Sequence, residues 1–268
     1  MTMPINLVLV RHGESEGNVA VEHSKKGDSS LFTDVFKQRH SSEWRLSDTG
    51  VKQAICAGKW IKKNIPFTGD DFYTSAYLRA RETAALLDLP GAQWKIDDKL
   101  RERDRGAMDV LSHDERGAYK KEIERKRLDP FHYRFPSGES IADTVMRMRN
   151  GFMSTAHRQL SDKNVFCVCH GEVMWAFRFP LEYMLPEEYN ELDRSKHPHH
   201  HIHNCQIIWY SRQNPENGQL SPTIRWVRSV CPWDMALSSN DWHEIIPRKY
   251  TNAQLLAQVK QTPRIING

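Results

Sequence analysis

Ile5-Asn6-Leu7-Val8-Leu9-Val10 runs straight into Arg11-His12-Gly13-Glu14-Ser15, and Asn164-Val165-Phe166-Cys167-Val168-Cys169 runs straight into His170-Gly171. Each is a short continuous apolar run of the kind that forms a buried strand. Each ends in a histidine followed by glycine. In open α/β sheets, ligands bind at the carboxyl ends of the strands, so these two histidines mark where chemistry is expected. Glycine after each of them lets the backbone approach a ligand closely. Arg11 adds a fixed cation whose fork suits phosphate oxygens.

Working outward, Leu46-Ser47-Asp48-Thr49-Gly50 opens a helix predicted to reach about residue 65, where Pro66 ends it. A short strand at 72–75 leads into a helix at 78–87, and another strand follows at 94–97. A charged helix is predicted over 112–127, an amphipathic helix over 140–160, and late strands over 202–210 and 223–230. Residues 19–45 are polar and aperiodic and read as a long connection with one short helix. Strands alternating with helices predict an α/β fold. We expect a single domain over residues 1–268, with a mixed, mostly parallel sheet and helices on both faces. Residues 19–45 and 105–137 form a small cap in this reading. Residues 239–268 are a polar extension that wraps the surface.

The chain has 268 residues, enough for folding to bury roughly 73% of its unfolded surface. The hydrophobic fraction of 39% and the charged fraction of 27% suit a globular protein. The mean hydropathy of −0.68 leans polar. No apolar run approaches the ~18 residues of a membrane span, and the start shows no signal-peptide pattern. Five cysteines cannot all pair within one chain. Cys167 and Cys169 share a strand face and lack metal or redox spacing, so buried thiols in a reducing, cytoplasmic setting are expected. The net charge of +4 is weak evidence for nucleic acid and fits an anionic small substrate equally well. Aromatic interleaving or a recognised nucleic-acid module is lacking.

Two further elements bear on the strand-end histidines. Arg79 stands just past a strand end, near a helix start, and helix starts favour anions. Taken alone it would be read as a solvated surface arginine. Glu102 sits among cations in Leu100-Arg101-Glu102-Arg103. It is either part of an exposed ion-pair cluster or a general acid.

With these residues in place, the sequence resembles the histidine phosphatase superfamily, the phosphoglycerate-mutase-like fold. The matching blocks are Arg11-His12-Gly13-Glu14-Ser15 with Asn18, Leu46-Ser47-x-x-Gly50-x-x-Gln53-Ala54, and Ser75-x-x-x-Arg79-Ala80-x-x-Thr83. They continue with Leu100-x-Glu102-Arg103-x-x-Gly106, Gly138-Glu139-Ser140 and Cys169-His170-Gly171. All lie in the family's order and cover most of residues 5–210.

The resemblance implies phosphomonoester hydrolysis through a phosphohistidine, without metal or other cofactor. In that mapping His12 is the nucleophile, Arg11, Arg79 and His170 form the phosphate pocket, and Asn18 is a donor at its edge. Glu102 donates a proton to the leaving group, with Glu14 or Glu172 next in line for that role. Glu14, Ser15, Arg103 and Gly171 are expected to border the substrate, which is small, phosphorylated and anionic. Two arginines and a second histidine disfavour a positive His12, and the same cations neutralise a transferring phosphoryl group.

The phosphatase branch is favoured. Residues 107–135 lack the proline run of the cofactor-dependent mutases, and Gly138-Glu139-Ser140 is similar to the phosphatase pattern. A phosphoglycerate-type mutase is the alternative, and a phosphoprotein-binding or protein-phosphatase role is another. Residues 19–45 are either a tolerated insertion or a lid. The run Lys196-His197-Pro198-His199-His200-His201-Ile202-His203 reads as a solvated loop rather than a metal site. Arg116, Lys120, Lys121, Arg125, Lys126 and Arg127 read as a solvated helix face. The oligomeric state is not legible.

Overall fold

Strand β1 (Asn6–Arg11) is apolar on both faces, and the computed structural model, which describes residues 2–266, places it inside the sheet. Leu7, Val8, Leu9 and Val10 are all fully buried. Leu7 and Leu9 enter one core, Val8 and Val10 the other. Each such side chain contributes about 1.5–3 kcal/mol, so the strand that carries Arg11 and leads to His12 is firmly anchored.

After β1 come α1 (Glu16–Lys25), α2 (Asp34–Gln38), α3 (Asp48–Asn64), β2 (Asp71–Thr74), α4 (Leu78–Leu87) and β3 (Trp94–Ile96). Then follow α5 (Lys120–Leu128), α6 (Ile141–Met148), α7 (Ser154–Gln159), β4 (Asn164–Cys169), α8 (Gly171–Glu182) and α9 (Pro186–Arg194). The chain ends with β5 (Ile207–Ser211), β6 (Trp226–Val230), β7 (Trp242–Glu244) and α10 (Asn252–Lys260). Among the described residues the sheet has seven strands in the order β3-β2-β4-β1-β5-β6-β7. β1 to β4 are mutually parallel, β5 is antiparallel to β1, and β6 turns back again. The sheet is therefore mixed and mostly parallel. Residues of α3 and α4 pack on one face, and residues of α6, α7 and α8 on the other.

Pairing aligns the strand ends that matter. Arg11 is opposite Cys169, and Thr74 is opposite Val168. His12, Ser75 and His170, each one residue beyond its strand, consequently emerge at the same edge. Beside β1 the neighbour changes from parallel β4 to antiparallel β5, the kind of position where α/β sheets open a crevice.

Several elements differ from the sequence reading. The strand expected over 202–210 begins only at Ile207, because the preceding backbone bonds to the site: Ile202 O accepts from Arg11, and Cys205 N donates to His12 O. The strand expected from 223 begins at Trp226. The helix expected over 112–127 is α5 alone, preceded by a 3-10 turn at 115–119. The helix expected over 140–160 is interrupted by a π turn at Arg149–Met153. The extension after Ser238 contributes an edge strand, β7, because Trp242 packs on Trp209 with ring centroids 4.6 Å apart. The segment 19–45 holds more helix than expected: most of α1, all of α2 and a 3-10 turn. Ser15 and Asn18 form a capping box that starts α1.

Segments 19–45 and 105–137 bond to one another. His113 N donates to Ser24 Oγ at 2.7 Å, Ser41 Oγ donates to Asp109 at 3.2 Å, and Lys37 pairs with Glu115. All five cysteines are free thiols, with Cys167 and Cys169 on one sheet face. No described helix is long and apolar enough to cross a membrane.

Candidate active site

The two strand-end glycines have different uses. A Cβ on Gly13 would lie 2.4 Å from Gly50 O, and one on Gly50 would lie 2.0 Å from Glu14 O. The two chain segments can touch only as glycines, so Gly50 belongs to the construction of the His12 turn. Ser47 caps α3 and also donates to Glu14 Oε1 at 2.6 Å, while Gln53 Oε1 accepts from Glu14 N at 2.9 Å. The Glu14 carboxylate is thus held by Ser47. Gly171, by contrast, makes room for Arg11: a Cβ there would sit 3.3 Å from Arg11 Nε.

His12 is 2% exposed. Its Nδ1 lies 2.7 Å from Gly13 O, which can only accept, so Nδ1 carries the proton. Nε2 accepts from Arg79 Nε at 3.2 Å. The tautomer is therefore set by two partners, and the bare nitrogen is Nε2. Burial first, then the Arg79 and Arg11 charges, hold the His12 imidazole well below its usual value. His170 is also held well below, by burial and then by Arg79, His12 and Arg11. The two rings lie 5.1 Å apart. His170 Nε2 bonds to Ser75 Oγ at 2.8 Å, which leaves Nδ1 buried without a partner.

Both arginines are oriented by backbone. Arg11 Nη1 donates to Ile202 O at 2.5 Å, and its Nε is buried with no partner. Arg79 Nη1 donates to Ser41 O at 2.6 Å, tying it to the 19–45 segment. Asn18 Oδ1 accepts from Ser15 N, Ser15 Oγ and Asn204 Nδ2, so its amide NH2 is the group left to donate. Arg11, His12, Asn18, Arg79 and Glu102 line one cavity of about 410 Å³, with Glu14 and Ser15 on its wall.

Two carboxylates are pushed in opposite directions. Glu102 Oε2 lies 3.8 Å from His170 Nδ1, and burial followed by the Glu172 charge raises its pKa. Burial would raise Glu172 too, but Arg103 and Arg105 overcome it and hold Glu172 low. Those arginines contact Glu172 at 2.7 and 2.9 Å. Such a split separates an acid from an ion-pair anchor.

Arg103, expected to border the substrate, is not brought to this cavity: it is 2% exposed and turned inward onto Glu172. Two members of the supposedly solvated basic run also differ from expectation. Arg116 and Lys126 are half-buried and line a second cavity with Arg103, Met108 and Phe135, whereas Lys120, Lys121, Arg125 and Arg127 are exposed. Asn204, Trp44, Arg105 and Asp109 line the first cavity and were not singled out in the sequence. Asn204 Nδ2 bonds to His12 O at 3.1 Å. Only its place beside the histidine run hinted at it. His199 and His203 of that run bond to carbonyls of Ala236 and Pro198.

His12, Glu102 and His170 offer ligand atoms all within 4.8 Å of one another, the one group of that kind among the described residues. Arg11 and Arg79 front the cavity that His12 and Glu102 line, while His170 is fully buried behind His12. Their charges oppose a cation there and favour an anion.

The fold and this cationic, histidine-lined pocket at the strand ends define a phosphoglycerate-mutase-like protein. Residues 7–217 match the histidine phosphatase superfamily (branch 1), and the chain belongs to that family. It is 30% identical over 200 residues to 6-phosphofructo-2-kinase/fructose-2,6-bisphosphatase 3 of Rattus norvegicus, covering 74% of this chain and 31% of that protein. The chain thus spans about a third of the length of that relative. The mycobacterial glucosyl-3-phosphoglycerate phosphatase complexed with VO3 superposes with a TM-score of 0.59 at 22% identity, over 77% of this chain and 92% of its own. Phosphoserine phosphatase from Entamoeba histolytica, in complex with 3-phosphoglyceric acid, gives 0.54 at 22%, over 78% and 90%.

Proposed function

We propose that this protein hydrolyses small anionic phosphomonoesters through a phosphohistidine on His12. The observation that carries the reading is the state of His12: neutral, with Nδ1–H tied to Gly13 O and the Nε2 lone pair turned to the pocket that holds Arg11 and Arg79. The substrate phosphoryl group sits among Arg11, Arg79, His170 and Asn18. Arg79 then exchanges its bond to Nε2 for phosphoryl oxygens. Nε2 attacks phosphorus in line as the P–O bond to the alcohol breaks, and Glu102 gives its proton to that oxygen. The Glu102 carboxylate next takes a proton from water, which attacks the phosphohistidine. Phosphate leaves, and His12 and Glu102 return to their starting states. Charge stabilisation by fixed cations supplies what such a transfer needs.

Relatives named as bisphosphatase and phosphatase favour hydrolysis over the mutase alternative. In this reading the single domain is capped by segments 19–45 and 105–137, which meet over the pocket, and the chain works in the cytoplasm. A panel of phosphorylated metabolites, run with the protein and with His12→Ala, tests the activity. Rapid-quench labelling should give an acid-labile, base-stable phosphoprotein. Stable labelling of the His12→Ala variant would overturn the assignment.

A further inference from the structure

The chemistry above makes no use of the histidine run before β5, yet the fold gathers part of that run. Pro198, His199 and His200 form a 3-10 turn with His197 at its N-cap. Side chains three apart eclipse one another in such a turn, and the His197 and His200 rings accordingly lie 5.0 Å apart between centroids. The His199 ring lies 5.1 Å from that of His197. All three residues are exposed. Pro198 fixes its own φ, so less chain freedom is lost when a ligand holds the turn.

The hydrogen bonds leave ring lone pairs free. Ala236 O can only accept, so His199 carries its proton on Nε2, 2.8 Å away, and Nδ1 is bare. His200 meets Ser195 Oγ through Nδ1 at 2.7 Å, which leaves Nε2 for a ligand. His197 Nδ1 is engaged only by a long bond, 3.3 Å from His199 N. Metal-ligating histidines share this arrangement, one nitrogen held by an oxygen and the other offered. Zinc binds imidazole nitrogens at about 2.0–2.1 Å in a tetrahedron, which sets the ring centroids ~5 Å apart. Both separations here match. The nitrogens do not yet fall within the 4.8 Å that groups His12, Glu102 and His170. Histidine χ2 is a broad torsion, so exposed rings turn toward one point at little cost.

The residues that follow are bonded to the active site. Ile202 O accepts from Arg11 Nη1 at 2.5 Å, and His12 O accepts from Asn204 Nδ2 at 3.1 Å and from Cys205 N at 3.2 Å. Ala236, which holds His199, lies close in sequence to Trp233, whose Nε1 donates to Asn204 O at 2.6 Å. The turn is thus braced against the backbone of the nucleophile from two directions.

We propose that His197, His199 and His200 bind one zinc-class divalent ion, with water completing the tetrahedron, and that occupancy acts on Arg11 and His12 through residues 202–205. The site stands without the phosphatase reading, and only its effect on turnover rests on that reading.

Titration of the tag-free full chain with zinc, in competition with a chromophoric chelator, tests it. We expect one equivalent to bind, and to bind His12→Asn equally, since Arg11 and Arg79 oppose a cation in the pocket. His199→Asn and His200→Asn should each weaken binding by more than ~10-fold, the scale lost when even an orienting contact of such a site is removed. His157→Asn, an exposed histidine elsewhere, should change nothing. Zinc should slow p-nitrophenyl phosphate hydrolysis by the native protein and leave His200→Asn at its metal-free rate. Binding lost in His12→Asn but kept in His200→Asn places the ion in the active site and overturns the proposal, as does equal affinity in every variant. Zinc held by the turn with no change in the native rate overturns the linkage to Arg11 and His12. A chain that hydrolyses no phosphate, yet loses its one equivalent in His200→Asn, refutes only the phosphatase reading.

Discussion

His12 Nε2 lies 3.2 Å from Arg79 Nε, and the guanidinium owns the proton between them. An imidazolium at His12 would need a proton on Nε2, facing that donor. The neutral ring is therefore built into the folded state, as burial and both arginine charges also require.

This relationship sets a pH dependence of stability. In the unfolded chain, histidine binds a proton near its ordinary value of about 6.5. The folded His12 does not, so the unfolded state holds more protons as pH falls below that value. Folding stability contributed here is intact above pH ~6.5 and declines below it, by about 1.4 kcal/mol per pH unit for one such group. Urea titrations between neutral and mildly acidic pH should show the slope for the native protein and a shallower one for His12→Asn. Identical slopes would show that His12 takes up its proton without opposition.

Glu102→Gln should slow hydrolysis of alkyl phosphates by roughly 10²–10⁴-fold while sparing p-nitrophenyl phosphate. An alkoxide needs a proton to leave, and nitrophenolate does not. Because Glu102 is raised, its proton persists above the usual carboxyl range and is lost as pH climbs, which forms the basic limb of the alkyl profile. That limb should vanish in the variant. Equal losses on both substrate types would move Glu102 to a positioning role.

Glu172 holds Arg103, which is almost wholly buried. Glu172→Gln leaves that guanidinium without its counter-charge, and breaking such a pair costs about 3–5 kcal/mol. The same change removes a negative charge that raises Glu102. The basic limb of the alkyl-phosphate profile should therefore move to lower pH. Thermal unfolding and the pH profile together check this, and a limb that stays in place would uncouple the two carboxylates.

Activity should survive chelation. Arg11 and Arg79 front the cavity lined by His12 and Glu102, with His170 buried beside them, so charge neutralisation is expected from side chains. Loss of turnover in EDTA, regained with zinc or magnesium, would make those three residues a metal site.

The sequence alone determined the strands that end in His12 and His170, because buried strands and the glycines after them are local patterns. The resemblance of its ordered motif blocks to the histidine phosphatases assigned Arg11, Arg79, Asn18 and Glu102 to the same site, which local pattern left open for Arg79 and Glu102. What it did not decide were partners made across long separations. Gly50 is needed only because α3 brings it against the Glu14 backbone, and Asn204 matters only because the chain before β5 folds back onto His12. The inward turn of Arg103 and the opposite drift of Glu102 and Glu172 depend on α8 placing Glu172 beside the 102–105 turn. A charge pattern along a chain records how many cations there are. Whether Arg116 and Lys126 meet solvent or a shared cavity is decided by tertiary packing, since burial and neighbouring charge act through space rather than along the sequence.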